Sequence, residues 1–325
     1  MTVRFFITID TEEDDWGEYR SSGFSVANIE IIPRLQALFE RYGAVPTYLI
    51  TYPVVTSDAA RSVFLELLAR NCCEIGAHCH PWNTPPFEEE ISVRNSMICN
   101  LPYSTVIKKV AALKSTITEL LGVTPRCFRS GRWGFGPTVA AAIYELGFRV
   151  DTSVTPFVDW TEYAGPDYRE APFLSYQFNP PAIQSAAPNG GLLEVPPTIG
   201  FLQTNYELCR RVIKWRRLAS RLRVMGALEK FGMLNLRWLS PELSSGDEMV
   251  ALAKTALSAR ATHLNMTFHS TSLLPGKSPY VSTQAALESF LGNIETMLKF
   301  AANEGFVFLP LSAALENNSP ASAFA

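Results

Sequence analysis

Short apolar runs of strand length alternate with amphipathic helical stretches along almost the whole chain, a rhythm that few folds other than a helix-wrapped parallel α/β sheet can satisfy. The first run, residues 3–10, sets Val3, Phe5, Ile7 and Ile9 on one face and Arg4, Phe6, Thr8 and Asp10 on the other. Residues 27–42 then show helical spacing through Ile29, Ile32, Leu35 and Leu38 and stop at Gly43. Pro33 suits a first turn, which starts the regular helix near Ile32. Further strands are expected at 46–51, 73–78, 126–129, 149–153, 192–195, 262–268 and 306–309. The helices between them are expected at 59–70, 104–121, 138–146, 206–230 (one long helix or a helix pair), 248–260 and 284–303. Residues 154–189, rich in Pro, Tyr and Asp, read as an elaborate loop. Seven or eight β/α units predict a (β/α) barrel of irregular form, one domain over 1–316 with a frayed tail over 317–325.

Composition narrows the setting. A formal net charge of −3 offers nucleic acid no general basic field. The opening residues read as a strand, without the basic and apolar regions of a secretory signal, and no run of eighteen apolar residues exists to span a membrane. Cys72, Cys73, Cys79, Cys99, Cys127 and Cys209 show no C-x-x-C spacing. In a chain of 325 residues they read as free thiols in a reducing, cytoplasmic compartment.

Barrel enzymes carry their chemistry at the C-terminal ends of the strands, and Asp10, His78, Arg129, Asp151 and His269 all fall at or near such ends. His78 and His80, in EIGAHCHPW, are two apart. In extended backbone both imidazoles point to one side and can approach one ion, while Cys79 points away. Two histidines and a carboxylate are a common zinc set with a position left open. The carboxylates come from FFITIDTEEDDW, where Asp10 and Glu12 share a face. A metal hydrolase needs one carboxylate to ligate and one to accept a proton from water. His263, inside its strand, reads as a hydrogen-bonded core group.

Five ordered motifs, ITIDTEED, EIGAHCHPWNTPP, FRSGRWGFG, GFRVDTSVTP and NMTFHSTSLLPGKSPY, resemble those of the polysaccharide deacetylase (NodB-homology, carbohydrate esterase family 4-like) family, and especially its WalW-like branch. The resemblance implies a distorted (β/α)7-type barrel, a divalent metal and hydrolysis of N-acetyl groups on sugars. By the same resemblance Asp10 is the catalytic base and His78 and His80 bind the metal. Arg129 orients the base, Asp151 is the fourth-motif acid, and His269 protonates the departing amine. Two departures stand out. Glu12 replaces the second of two adjacent aspartates, so either Glu12 or Asp10 is the metal carboxylate, and H-x-H replaces H-x-x-x-H, whose second position would fall on Trp82. Glu12 with His78 and His80 is the expected set, and zinc the expected ion. A backbone N–H near Arg132–Trp133 is a candidate oxyanion donor, and Trp82, Trp133 and Arg132 are candidate substrate contacts.

Residues 210–223 form a basic amphipathic stretch that could touch an anionic membrane surface or a phosphate-bearing substrate. A glycan, lipid-linked or nucleotide-linked sugar is therefore the expected substrate. Two other readings stand beside the deacetylase: an amidohydrolase of cyclic amides or ureides on the same fold, and a catalytically inactive sugar-binding protein.

Overall fold

The computed structural model describes residues 2–14, 16–203, 205–206, 208–209, 211 and 235–317. The strands are β1 (Arg4–Thr11), β2 (Thr47–Ile50), β3 (Glu74–Cys79), β4 (Cys127–Ser130), β5 (Val150–Asp151), β6 (Tyr176–Phe178), β7 (Leu192–Glu194), β8 (Ile199–Phe201), β9 (Leu236–Trp238), β10 (His263–His269) and β11 (Val307–Phe308). The helices among the described residues are α1 (Ile32–Glu40), α2 (Tyr52–Thr56), α3 (Asp58–Ala69), α4 (Tyr103–Leu121), α5 (Pro137–Glu145), α6 (Gly246–Ser258) and α7 (Gln284–Asn303). Pro33 does lie in the first turn of α1, after a 3-10 turn over Ala27–Ile31. α6 starts in a capping box, with Ser245 and Glu248 satisfying each other's backbone N–H groups.

Seven strands run parallel in the order β10-β1-β2-β3-β4-β5-β7, the curled sheet of a distorted (β/α)7-type barrel. β11 extends β1 below the point where β2 begins, pairing Arg4 with Val307 and Phe5 with Phe308. The open side is closed without a regular ladder. Past β7, Thr198 N–H donates to Asn265 O at 3.0 Å, Leu239 N–H to Thr198 O at 2.8 Å, and Thr267 N–H to Leu239 O at 3.0 Å.

Strand alternation sorts the side chains into two layers. Phe5, Ile7 and Ile9 face the helices within the main core, whereas Phe6 points inward to an apolar floor with Leu49, Cys127, Val150, Leu193 and Leu311. Above the floor the interior turns polar, through Thr8, Arg129, Thr152, Asn265 and Thr267, and Asp10 stands at the top of β1. Gly76 of β3 also faces inward; a Cβ there would lie 2.5 Å from Leu49 Cδ2 and 3.0 Å from Cys127 O.

Three short strands went unread in the sequence. β6 adds antiparallel to β7 inside the expected loop, and β8 and β9 form a separate antiparallel pair. They are three residues each, too short for a periodicity to show. The expected 206–230 helix, the basic stretch 210–223 and the tail beyond residue 317 lie almost wholly outside the described residues. The six cysteines are all free. Among the described residues no helix is long and apolar enough to cross a membrane.

Candidate active site

The inward-facing ends of β1, β3, β4 and β10 deliver the chemistry to a cleft of about 390 Å³. β3 carries His78 on the same side as Gly76, and the chain stays extended far enough to add His80, with Cys79 turned into the outer core as expected. His78 Nδ1 lies 3.2 Å from the carbonyl of Arg129, which fixes its N–H there and leaves the Nε2 lone pair facing Glu12 Oε2 at 3.6 Å. His80 Nε2 lies 2.9 Å from the same oxygen.

Glu12, His78 and His80 thus offer one carboxylate oxygen and two ring nitrogens, all within 4.8 Å of one another and all buried. Burial alone would raise the Glu12 carboxyl, but its contacts with His78 and His80 and the charge of His269 outweigh it and hold it far below the usual carboxylate range. His80 is pushed the other way, by burial and by His78, toward the neutral form that can ligate. His80 is also cradled. A Cβ on Gly131 would lie 2.1 Å from its Nδ1, so only glycine fits beside the ring. A carboxylate and two imidazoles on a buried, strand-borne frame suit a divalent metal ion.

Asp10 occupies the next position. Its Oδ2 lies 3.6 Å from His269 Nε2 and 4.0 Å from His78 Nε2, and its Oδ1 accepts from Arg129 Nη1 at 2.5 Å. Burial raises this carboxyl, yet Arg129, His78 and His269 together hold it lowered. Arg129 is fully buried, and its five N–H groups reach Asp10, Thr267, Thr8, Thr152 Oγ1 and the Thr152 carbonyl, at 2.5 to 3.0 Å.

His269, at the end of β10, is gripped by a residue that the sequence did not single out. Glu242 accepts from His269 Nδ1 at 2.9 Å and from its backbone N–H at 3.0 Å, while Ser272 Oγ donates to it at 2.5 Å. Burial would lower the imidazole, but Glu242, Glu12 and Asp10 push it up to about 10. Trp16 meets the ring edge-on at 4.7 Å, and Tyr280 lies nearly parallel at 6.4 Å.

Asp151 requires a correction. The fourth-motif acid was expected beside Asp10 and His269 on the rim, but it is not among the cleft-lining residues. Val150 faces the inner floor and Thr152 faces Arg129, so alternation turns Asp151 outward, where it accepts from Ser153 N at 3.0 Å and Ser153 Oγ at 2.8 Å. There it also pairs with Glu194; burial, against the hydrogen bonds, raises its carboxyl to about 6. Glu242 holds the position beside His269. His263, lowered to about 4 by burial and Arg4, is buried against Phe6, although no side-chain hydrogen bond of the kind expected meets it among the described residues.

The expected substrate contacts all line the cleft. Trp82 meets His80 in a tilted contact at 4.1 Å, and its indole N–H donates to Glu13, which also accepts from Asn83. Arg132 and Trp133 sit on the turn after β4, both with left-handed backbone (φ 55° and 59°). Tyr168 braces that turn, its hydroxyl 2.8 Å from Trp133 O and 2.9 Å from Phe135 O. Trp16, Tyr19, Trp160, Tyr163 and Tyr280 complete a largely aromatic wall, of which Trp160, Tyr280, Trp82 and Trp133 flank the motifs.

No family model and no curated protein matches this chain by sequence. Among solved structures, a protein assigned as a polysaccharide deacetylase from Mycobacterium smegmatis superposes with a TM-score of 0.53 at 13% identity, covering 97% of this chain and 90% of that one. The Puue allantoinase gives 0.53 at 13% identity over 99% and 92%. A branching enzyme from Thermococcus kodakaraensis, solved with glucose, gives 0.56 at 9% identity over 98% and 72%. What these proteins share with this chain is the fold, and one fold hosts many chemistries.

Proposed function

We propose that this protein is a metal-dependent hydrolase that removes an N-acyl group, most simply N-acetyl, from a sugar. The observation that carries the reading is the convergence of three units in one cleft: a Glu12–His78–His80 ligand set, Asp10 braced by Arg129, and His269 braced by Glu242. The motif resemblance to the polysaccharide deacetylases, and to their WalW-like branch, supports it, as does a fold shared with a protein assigned to that activity.

A divalent ion held by Glu12, His78 and His80, for which zinc is our choice, would supply Lewis acidity and a more acidic water. The chain's own groups do the rest. Asp10, anionic and fixed by Arg129, accepts the proton of the attacking water. His269, kept as imidazolium by Glu242, donates to the departing nitrogen, without which an amine leaves poorly. The 3.6 Å between Asp10 and His269 places acceptor and donor side by side. The aromatic wall favours a sugar ring over a small ureide, because stacking needs an extended face. We place the reaction in a reducing, cytoplasmic compartment, consistent with free thiols, on a glycan, lipid-linked or nucleotide-linked precursor.

Elemental analysis of the purified protein, with a screen of N-acetylated sugars and cyclic ureides for released acetate or ring opening, tests the proposal. One ion per chain, lost in the His78→Ala/His80→Ala double variant, with acetate released, is the expected outcome. Ureide opening without acetate release would transfer the protein to the amidohydrolases. Absence of metal would leave a sugar-binding protein.

A further inference from the structure

Two arginines three positions apart on the third motif live in opposite circumstances. Arg129 is sealed in the barrel with all five N–H groups engaged. Arg132 stands in the cleft wall, and among the described residues a single side-chain acceptor meets it, the Ser96 hydroxyl. That hydroxyl gives its own proton to Val93 O at 2.6 Å, so it is a neutral acceptor. No carboxylate among the described residues pairs with Arg132, although Asp10, Glu12 and Glu13 line the same cleft.

The guanidinium is nevertheless held firmly. It lies over the Tyr19 ring at 5.4 Å and the Tyr163 ring at 5.7 Å, cation–π contacts without a hydrogen bond to either tyrosine. A run of tilted ring contacts joins it to the ligand set: Tyr19 against Trp82 at 4.8 Å, and Trp82 against His80 at 4.1 Å. The backbone beneath is left-handed at both Arg132 and Trp133, a conformation that ordinary residues adopt only under constraint. The fold therefore places a permanently charged fork in the cleft wall, and among the described residues most of its donors meet no acceptor.

We infer that Arg132 reads an anionic group on the substrate, a carboxylate or a phosphate, so that the preferred substrate is an acidic N-acylated sugar. The inference rests on the hydrolase reading for the identity of the reaction, though not for the anion site itself. A planar fork engages either oxyanion by two parallel hydrogen bonds, and a lysine cannot copy that geometry.

The test compares kcat/KM of the zinc-loaded protein on matched N-acetyl sugars: a neutral hexosamine, the same sugar as a uronate, and the same sugar as a monophosphate. Wild type, Arg132→Gly and Arg132→Lys are measured in parallel. Glycine relieves the left-handed backbone, which protects folding, and thermal melting verifies it. The anionic-to-neutral ratio is expected to fall at least ~10-fold in Arg132→Gly and only in part in Arg132→Lys, since a charged bidentate contact contributes on that scale. Whichever anionic arm collapses, uronate or phosphate, names the oxyanion. An unchanged ratio, or a wild-type preference for the neutral sugar, overturns the inference and leaves the hydrolase reading intact. Should none of the sugars turn over, the hydrolase reading has failed, and calorimetric binding of the same three sugars decides the anion site alone. Weaker binding of an anionic sugar to Arg132→Gly than to wild type sustains it; equal binding, or none to either, overturns it.

Discussion

His269 lies between two carboxylates with different tasks, hydrogen-bonded to Glu242 at 2.9 Å and 3.6 Å from Asp10. Because Glu242, Glu12 and Asp10 together outweigh burial and raise the imidazole to about 10, the imidazolium persists through neutral pH and is lost as pH rises through that value. Glu242→Gln removes the largest favourable charge, so NMR titration of the metal-free protein should show the His269 midpoint falling. Turnover of an amide should fall ~10²- to 10⁴-fold in His269→Ala, the usual worth of a general acid, with metal content kept. A midpoint unmoved in Glu242→Gln would deny that residue its role. A second residue-scale test concerns Gly131, whose φ is ordinary but whose missing Cβ makes room for His80. Gly131→Ala must displace a ring packed between His78 and Trp82, at centroid distances of 4.5 and 4.1 Å. Metal affinity should drop ~10- to 100-fold, as when a ligand loses its support; unchanged affinity in a metal-competition titration would exclude His80 as a ligand. Asp10, Glu12, His78, His80 and His269 were legible in the sequence because each combines a chemistry-bearing side chain with a strand end. Glu242 was not, since it stands on a short turn between β9 and α6 and meets His269 only through folding.

At the scale of elements, strand parity decided what could be read. β1 and β3 are eight and six residues long, enough for alternation to place Asp10, His78 and Cys79 on their correct sides. β5 is two residues, so the inward or outward choice at Asp151 depended on a register that only the β4 and β7 pairings set. The segment after β3 is secured by a different device, a lysine of α4 driven into it. Lys109 is wholly buried, donating to Pro81 O at 2.9 Å, Thr84 O at 2.8 Å and Pro86 O at 2.6 Å, with Glu89 at 2.8 Å. Helical periodicity alone had no means of marking it, because its acceptors are backbone carbonyls of another element. Lys109→Met strips a buried carboxylate and three carbonyls of their shared cation, an arrangement whose loss typically costs ~3–5 kcal/mol. Urea unfolding should register a loss of that order. A loss below ~1 kcal/mol would mean that water replaces the ammonium and that the helix does not fasten the segment.

The whole barrel closes through side chains where strands fail to meet, and this ties its stability to its chemistry. Asn265 of β10 is fully buried at that seam. Its amide donates to Thr152 Oγ1 at 3.0 Å, its side-chain oxygen accepts from Thr8 Oγ1 at 2.9 Å, and its backbone N–H donates to Thr198 Oγ1 at 2.8 Å. Thr8 and Thr152 are also the two hydroxyls that hold Arg129 Nη2, at 2.8 and 3.0 Å, and Arg129 in turn fixes Asp10. One polar layer therefore performs two functions, joining β10 to the chain beyond β7 and orienting the proposed base. Asn265→Leu keeps the volume but leaves buried polar partners unmet at roughly 1–3 kcal/mol each, so a stability loss of ~2–4 kcal/mol is expected from denaturant titration. Turnover should fall with it at temperatures where the variant remains folded, because Asp10 loses its fixed partner geometry. The sharper measurement is the cycle of Asn265→Leu with Thr152→Val, whose single effects should fail to add by at least ~0.5 kcal/mol if the layer acts as one network. Strict additivity, with kcat untouched in the folded single variant, would show that the seam and the site are independent structures sharing a wall.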